Sequence, residues 1–269
     1  MNQNSNIPDH ITHILSNFCI EDTSLIQPYG SGHINDTYYV KSAKEGGVDY
    51  LLQKINHQIF KDVPGLIENI KLVTAHLKQK LAEIPSSNPD VEVLTLVPAK
   101  DNTFYYRDPS GNYWRVYHFL KTNSYDILQT EKQAFEGGRA FGKFQALLVD
   151  LDTSLIVETI PDFHHITKRL KRFQEAVQAD VANRVKESMP EITFIQERME
   201  EMSTALHSGS DGPLPLRIIH NDTKINNVLL DENDHAQCVI DLDTVMPGYV
   251  AYDFGDAIRT IINGAAEDE

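Results

Sequence analysis

His220-Asn221-Asp222-Thr223-Lys224-Ile225-Asn226-Asn227 is the stretch whose reading decides the fold. It is a short polar run between two apolar ones, Leu216-Arg217-Ile218-Ile219 ahead and Val228-Leu229-Leu230 behind. Segments that favour burial therefore pin both ends of a loop rich in charged and amide side chains. Loops fixed in that way commonly carry chemistry.

A kinase catalytic loop needs one carboxylate aimed at the substrate hydroxyl and one amide carbonyl, five residues on, to hold Mg²⁺. Asp222 and Asn227 have that spacing. Lys224 is within reach of a phosphoryl group and would offset charge on its equatorial oxygens. Downstream, a polar Asp231–His235 turn and the apolar Cys238-Val239-Ile240 read as a hairpin that returns Asp241-Leu242-Asp243 to the loop. Asp241 is then the principal metal ligand expected and Asp243 a second, both oxygen donors as Mg²⁺ prefers. Asp253-Phe254-Gly255 spells the protein-kinase metal triplet but lies thirty-one positions after Asp222, against nineteen for Asp241. It precedes an apolar run and is expected to be a helix N-cap, with Asp256 in an acidic first turn.

The run His220 to Asn227, the Ile240-Asp241-Leu242-Asp243 strand end and Tyr252-Asp253-Phe254-Gly255-Asp256-Ala257-Ile258-Arg259 together resemble the aminoglycoside phosphotransferase and choline kinase superfamily. The wording His-Asn-Asp-Thr-Lys, followed by Val-Ile-Asp-Leu-Asp-Thr-Val-Met-Pro-Gly, is similar to its N-acetylhexosamine 1-kinase branch. The resemblance implies ATP- and Mg²⁺-dependent phosphorylation of the anomeric hydroxyl of N-acetylglucosamine or N-acetylgalactosamine. Asp222 then corresponds to the catalytic base, and Asn227 and Asp241 to the metal ligands. The rival readings are a sister kinase acting on choline, homoserine or an aminoglycoside, and a nucleotide-binding module without turnover.

The chain has 269 residues and a formal net charge of −15. That balance argues against a nucleic-acid groove, which needs a basic stripe to displace counterions. It suits a nucleotide met by Mg²⁺ and one or two lysines. Cys19 and Cys238 stand far apart in apolar surroundings and read as two buried free thiols. Residues 1 to 9 lack a basic and apolar leader pattern, and no apolar run approaches a membrane span, so a cytoplasmic enzyme is expected.

These elements predict an α+β, two-lobed protein-kinase-like fold: an antiparallel sheet lobe with one helix over residues 1–120, and a mostly helical lobe over 121–269. An amphipathic helix is expected at residues 8–19. Gly30-Ser31-Gly32-His33 sits between two strand-like runs, and in company with the catalytic loop it reads as a glycine-rich lid over phosphates, a plain hairpin turn being the alternative. Tyr50–Ile55 reads as the third strand, with Lys54 placed for the nucleotide phosphates. Residues 63–82 read as a helix opening at Pro64; Glu68 in its first half is the candidate partner of Lys54, or else an ordinary acidic residue near a helix start. Val91–Val97, Thr103–Arg107 and Tyr113–Leu120 read as strands, and residues 118–121 as the hinge, so that His118 and Leu120 flank the adenine position in the kinase template.

Helices follow over Leu128–Leu148, up to Phe173, and over Ile192–Leu206. Gly137-Gly138-Arg139-Ala140-Phe141-Gly142-Lys143-Phe144 is close to a P-loop, but Phe144 stands where a metal-binding hydroxyl is required and no strand leads in, so it reads as helix. By resemblance, His33 and His164 are candidate contacts to the acceptor; a histidine-bearing turn is the plain alternative for His164. The chain stops at Glu269, where relatives continue with helices that help enclose the sugar; either that segment exists elsewhere, the chain being a fragment of a longer protein, or this is a truncated form whose sugar pocket is open.

Overall fold

The computed structural model describes residues 9–30, 35–204 and 214–262. Helix α1 (Asp9–Leu15) buries Ile11, Ile14 and Leu15 against the first sheet. Strands β1 (Thr23–Pro28), β2 (Asp36–Ser42) and β3 (Tyr50–Ile55) follow. After them come α2 (Val63–Ala82), a single turn α3 (Pro89–Glu92), β4 (Tyr106–Arg107) and β5 (Tyr113–His118). The sheet order is β1-β2-β3-β5-β4, with every neighbouring pair antiparallel. Its register puts Asp36 opposite Lys54 and Gln53 opposite Arg115.

Helix α2 begins and ends as its sequence demands. Asp62 accepts the Gly65 N–H at 3.0 Å, and Pro64 occupies the first turn, where its missing N–H leaves nothing unpaired. Val63, Leu66, Ile67, Ile70, Val73, Leu77 and Leu81 are buried along one face, each worth about 2 kcal/mol of transfer free energy. Asn69 is also buried there. Its amide donates to the Val157 carbonyl at 2.8 Å and the Val245 carbonyl at 3.4 Å, and accepts from the Val157 N–H at 3.0 Å.

Val91–Val97 is not a strand. Asn88 accepts the Asp90 N–H and Pro89 opens a helical turn, so only the end of the segment reaches the sheet, through the Leu96–Tyr117 bridge and Val97 N–H to Val116 O. Thr103–Arg107 contracts to the two residues of β4. Cys19 is exposed, contrary to expectation, whereas Cys238 is buried and its thiol is pushed up to about 12 by desolvation.

The second half supplies α4 (Glu131–Leu147), α5 (Ile166–Ala179), α6 (Met189–Gln196) and α7 (Met199–Thr204). Short strands β6 (Arg217–Ile219), β7 (Val228–Leu230), β8 (Ala236–Val239) and β9 (Met246–Gly248) then precede α8 (Val250–Ile262). The helix expected over Ile192–Leu206 is thus two helices, and Leu206 lies outside the described residues. Gly137 to Phe144 is helical, inside α4. A Cβ at Gly137 would stand 2.5 Å from Ile225 Cδ1, so this glycine lets α4 approach the 220–227 loop closely.

β7 and β8 form the expected hairpin, its turn closed by Asp231 N–H to His235 O at 2.9 Å. β6 pairs with β9. The largest core cluster draws on both halves, from Ile55 and the α2 face through Phe144 and Leu148 to Ile218, Leu242 and Val245. No helix among the described residues is long and apolar enough to cross a membrane.

Candidate active site

Ile218 and Ile219 are buried in β6 and bring the chain to the loop. His220 is enclosed by the rings of Phe141 and Phe144. Its Nε2 meets the Ile240 carbonyl at 2.9 Å and its Nδ1 meets the Asp222 N–H at 3.3 Å. A carbonyl can only accept and an N–H only donate, so the ring is held as the Nε2–H tautomer. Asn221 turns the chain at φ 65°, a region asparagine tolerates better than most residues.

The loop is gripped by α8. Asp253 is buried, and its carboxylate accepts the N–H groups of His220 at 2.9 Å and Asn221 at 2.7 Å and the Gln145 amide at 2.8 Å. Asp256 accepts the Thr223 N–H at 2.7 Å, and the Thr223 hydroxyl donates to the Asp253 carbonyl at 2.8 Å. The expectation of a helix N-cap at Asp253 is therefore corrected: α8 starts three residues earlier, and the carboxylate caps the loop rather than the helix. With three donors already on it, Asp253 offers no ready oxygen to a cation.

Within the loop, the Asn227 amide donates to the Asp222 carbonyl at 2.8 Å and to Asp222 Oδ2 at 3.2 Å. Lys224 Nζ lies 3.5 Å from Asp222 Oδ1. The Asp222 carboxylate thus sits between an amide and a cation and keeps part of its surface open, its side chain being 19% exposed.

Ile240 N–H donates to the Asn227 carbonyl at 2.9 Å, which brings the end of the hairpin against the loop. Asp241 follows at φ 58°. Its partly buried carboxylate accepts no hydrogen bond among the described residues. Burial first, then the charge of Asp243, push its pKa up to about 6, with Arg115 and His220 acting in the opposite sense. Asn227 Oδ1 is likewise without a donor among the described residues. One unpartnered carboxylate and one amide oxygen fit a hard divalent cation that takes its other ligands from water or phosphate. Among the described residues no group of three His, Cys, Asp or Glu side chains is arranged for a metal.

Asp243 departs from the expected second metal ligand. It is buried, and its carboxylate is bridged by both terminal nitrogens of Arg115 and by Asn35 Nδ2 at 2.9 Å. Arg115 is equally buried, with Nε on Gln53 Oε1 at 3.0 Å and the guanidinium over the Tyr117 ring. Burial works against its charge, and Asp243, with Tyr117 and Asp241, more than offsets that, so its pKa is raised. Sequence reading passed over Arg115. The available signal was a cation at an inward position of an otherwise apolar strand, which requires a buried partner.

Lys54 and Glu68 are not paired. Strand register puts Asp36 opposite Lys54, and their charged atoms are 3.7 Å apart, while Glu68 faces outward onto Lys71 at 2.8 Å. His118 ends β5 with its N–H on the Thr95 carbonyl, and Phe119 N–H is taken by Asp49, leaving the Leu120 N–H without a partner among the described residues. Burial lowers the His118 pKa. His164 Nε2 meets the Asn221 carbonyl at 2.8 Å, and its ring packs on Phe163 and Tyr252, so it braces the loop. Gly30 has φ 80° and open space where a Cβ would be; Ser31, Gly32 and His33 lie outside the described residues.

A sheet lobe joined to a helical lobe, with an Asp-x₄-Asn loop beside a hairpin-borne aspartate, defines the kinase-like class of folds. The chain belongs to the phosphotransferase enzyme family (APH), whose pattern it matches over residues 25–269. Solved structures agree on the fold. An amicoumacin kinase in complex with AMP-PNP, Ca²⁺ and its acceptor superposes with a TM-score of 0.63 at 12% identity, covering 94% of this chain and 69% of the other. An aminoglycoside phosphotransferase from Alicyclobacillus acidocaldarius gives 0.60 at 14% identity, covering 96% and 72%. A spectinomycin phosphotransferase bound to ADP and spectinomycin gives 0.59 at 14%, covering 96% and 79%.

Proposed function

We propose that the protein transfers the γ-phosphate of ATP to a hydroxyl of a small molecule at Asp222. The observation that carries this is the contact set around one open carboxylate. Asn227 donates to Asp222, Lys224 stands 3.5 Å away, and Asp241 lies beyond Ile240, its carboxylate accepting no hydrogen bond among the described residues. Asp222 would orient the acceptor hydroxyl and take its proton as the bond to phosphorus forms. Lys224 would meet charge building on the transferring group, and Lys54, drawn from Asp36, the nucleotide phosphates. Asn227 Oδ1 and Asp241 would hold Mg²⁺, which when bound neutralises phosphate charge and fixes the direction of the terminal phosphoryl group. The Leu120 N–H, without a partner among the described residues, is suited to pairing with adenine. Asn221 stands where protein kinases carry the arginine that reads a phosphorylated activation loop, which favours a small acceptor over a protein.

Two acceptor classes have separate support. The solved relatives act on or bind amicoumacin, aminoglycosides and spectinomycin, and a sister-kinase acceptor of that polyfunctional, hydroxyl-rich kind is the better-supported reading. The wording of the loop and of the Val239–Gly248 segment supports the narrower reading, the anomeric hydroxyl of an N-acetylhexosamine. Incubation with MgATP and a panel of aminoglycosides, spectinomycin, N-acetylhexosamines, free hexosamines, choline and homoserine, followed by mass spectrometry of the acceptors, separates them. A phosphorylated aminocyclitol favours the first class and a sugar 1-phosphate the second. Absence of MgATP binding by the folded chain would refute the proposal.

A further inference from the structure

A buried ion pair is a poor way to stabilise a core, since desolvating both charges consumes most of their attraction and an apolar pair of equal volume does as well. Arg115 and Asp243 nevertheless sit fully enclosed, 128 positions apart in sequence, in a two-pronged contact. A planar fork on a carboxylate fixes orientation as well as distance. What it fixes here is the turn that carries Asp241, because Asp243 is two residues on and Leu242 between them is locked in the main core. The Thr159 hydroxyl secures the Asp243 carbonyl at 2.8 Å, and the Thr244 hydroxyl donates to the His220 carbonyl at 2.8 Å. On its other side the turn is held by Ile240 to Asn227 and His220. The Asp241 carboxylate, by contrast, accepts no hydrogen bond among the described residues.

Asn35 extends the network toward the nucleotide phosphates. Its amide nitrogen is on Asp243 and its carbonyl accepts the Asn56 N–H at 2.9 Å, so one side chain ties the start of β2 and the end of β3, two residues from Lys54, to the metal turn. We infer that Arg115 and Asn35 are positioning residues: Arg115 aims the Asp241 carboxylate through Asp243, and Asn35 makes the phosphate-facing strands and the metal turn one rigid unit. This rests on the proposed role of Asp241 as a metal ligand. It also assigns Asp243 an orienting role in place of direct coordination.

The test is titration of the full chain with a fluorescent ATP analogue at increasing Mg²⁺ and in EDTA, with circular dichroism to establish folding. Asp241→Asn is the control and should remove the tightening by Mg²⁺. Arg115→Lys keeps the charge but loses the fork; it should raise the Mg²⁺ concentration for half-maximal tightening by about fivefold or more while metal-free affinity stays within about twofold. Asn35→Ala, at a partly exposed position, should give a smaller shift in the same direction, about threefold. A folded Arg115→Lys chain with wild-type Mg²⁺ dependence, or with equal losses in both conditions, overturns the inference. If Arg115→Lys does not fold, Asn35→Ala decides: an unchanged Mg²⁺ dependence overturns it. A control that still responds fully to Mg²⁺ overturns the metal role of Asp241 itself, and is thereby distinguished from a failure of Arg115 alone.

Discussion

Replacing Asp241 with asparagine should stabilise the metal-free protein. The carboxylate is desolvated, lies near Asp243 and Asp222, and has its pKa lifted from 3.8 to about 6. A raised pKa means that the folded chain binds the proton more tightly than the unfolded chain, so wild-type stability falls as pH rises through this window and stays lowered above it. Each tenfold in proton affinity is worth about 1.4 kcal/mol, which makes the ionised carboxylate a burden of up to about 3 kcal/mol at pH 8 and well under 1 kcal/mol at pH 4. Asparagine has the same shape, carries no charge, and accepts the φ of 58° with little strain. Urea denaturation in EDTA of wild type and Asp241→Asn at pH 4, 6 and 8 should show a gap that opens with pH in favour of the variant. With saturating MgATP the order should reverse, because the wild type, which binds it more tightly, gains more binding energy on folding. A variant less stable than wild type at pH 8 in EDTA, or a gap that does not vary with pH, would refute the reasoning.

Asp222→Asn should lower kcat by about two orders of magnitude or more and leave MgATP affinity within a few fold, since a base touching only the acceptor acts in the transition state; isothermal calorimetry beside steady-state kinetics checks both. Glu68→Ala should leave nucleotide affinity within about twofold, because Glu68 faces Lys71 rather than Lys54; a tenfold loss would restore the protein-kinase pairing. Asp253→Ala strips the partners from two buried N–H groups and the Gln145 amide and should lower unfolding free energy by about 3 kcal/mol or more in a urea titration. Gly137→Ala would gain about 1 kcal/mol in an unconstrained helix, but its methyl meets Ile225 at 2.5 Å, so it should lose stability and kcat together.

Much of this was legible where a local rule had no competitor. Pro64 and the apolar spacing delimit α2, and the turn at Asp231–His235 yields the hairpin that brings Asp241 beside Asn227. Errors arose where partners are distant in sequence or a short signal outweighed a long one. Asn88-Pro89 turned an apparently alternating run into α3. Asp243 and Asp253 were read from their neighbours in sequence, whereas Arg115 and the loop N–H groups decide what each does. Glu68 and Lys54 were paired by analogy; the register of β2 and β3 gives Lys54 to Asp36 instead.

Asn69 carries a consequence for how the chain is made. Its helix is complete once residue 82 has left the ribosome, yet every partner of its buried amide, Val157 and Val245, is encoded far downstream. At about 5–20 residues per second, roughly ten to thirty seconds pass between synthesis of α2 and of the Val245 segment. Until Val157 emerges Asn69 is satisfied by water, and until residue 245 follows, the part of the α2 face destined for Leu242 and Val245 stays uncovered. This helix face is therefore open to a holding chaperone for a time that ends only after the loop bearing Asp222 has been made.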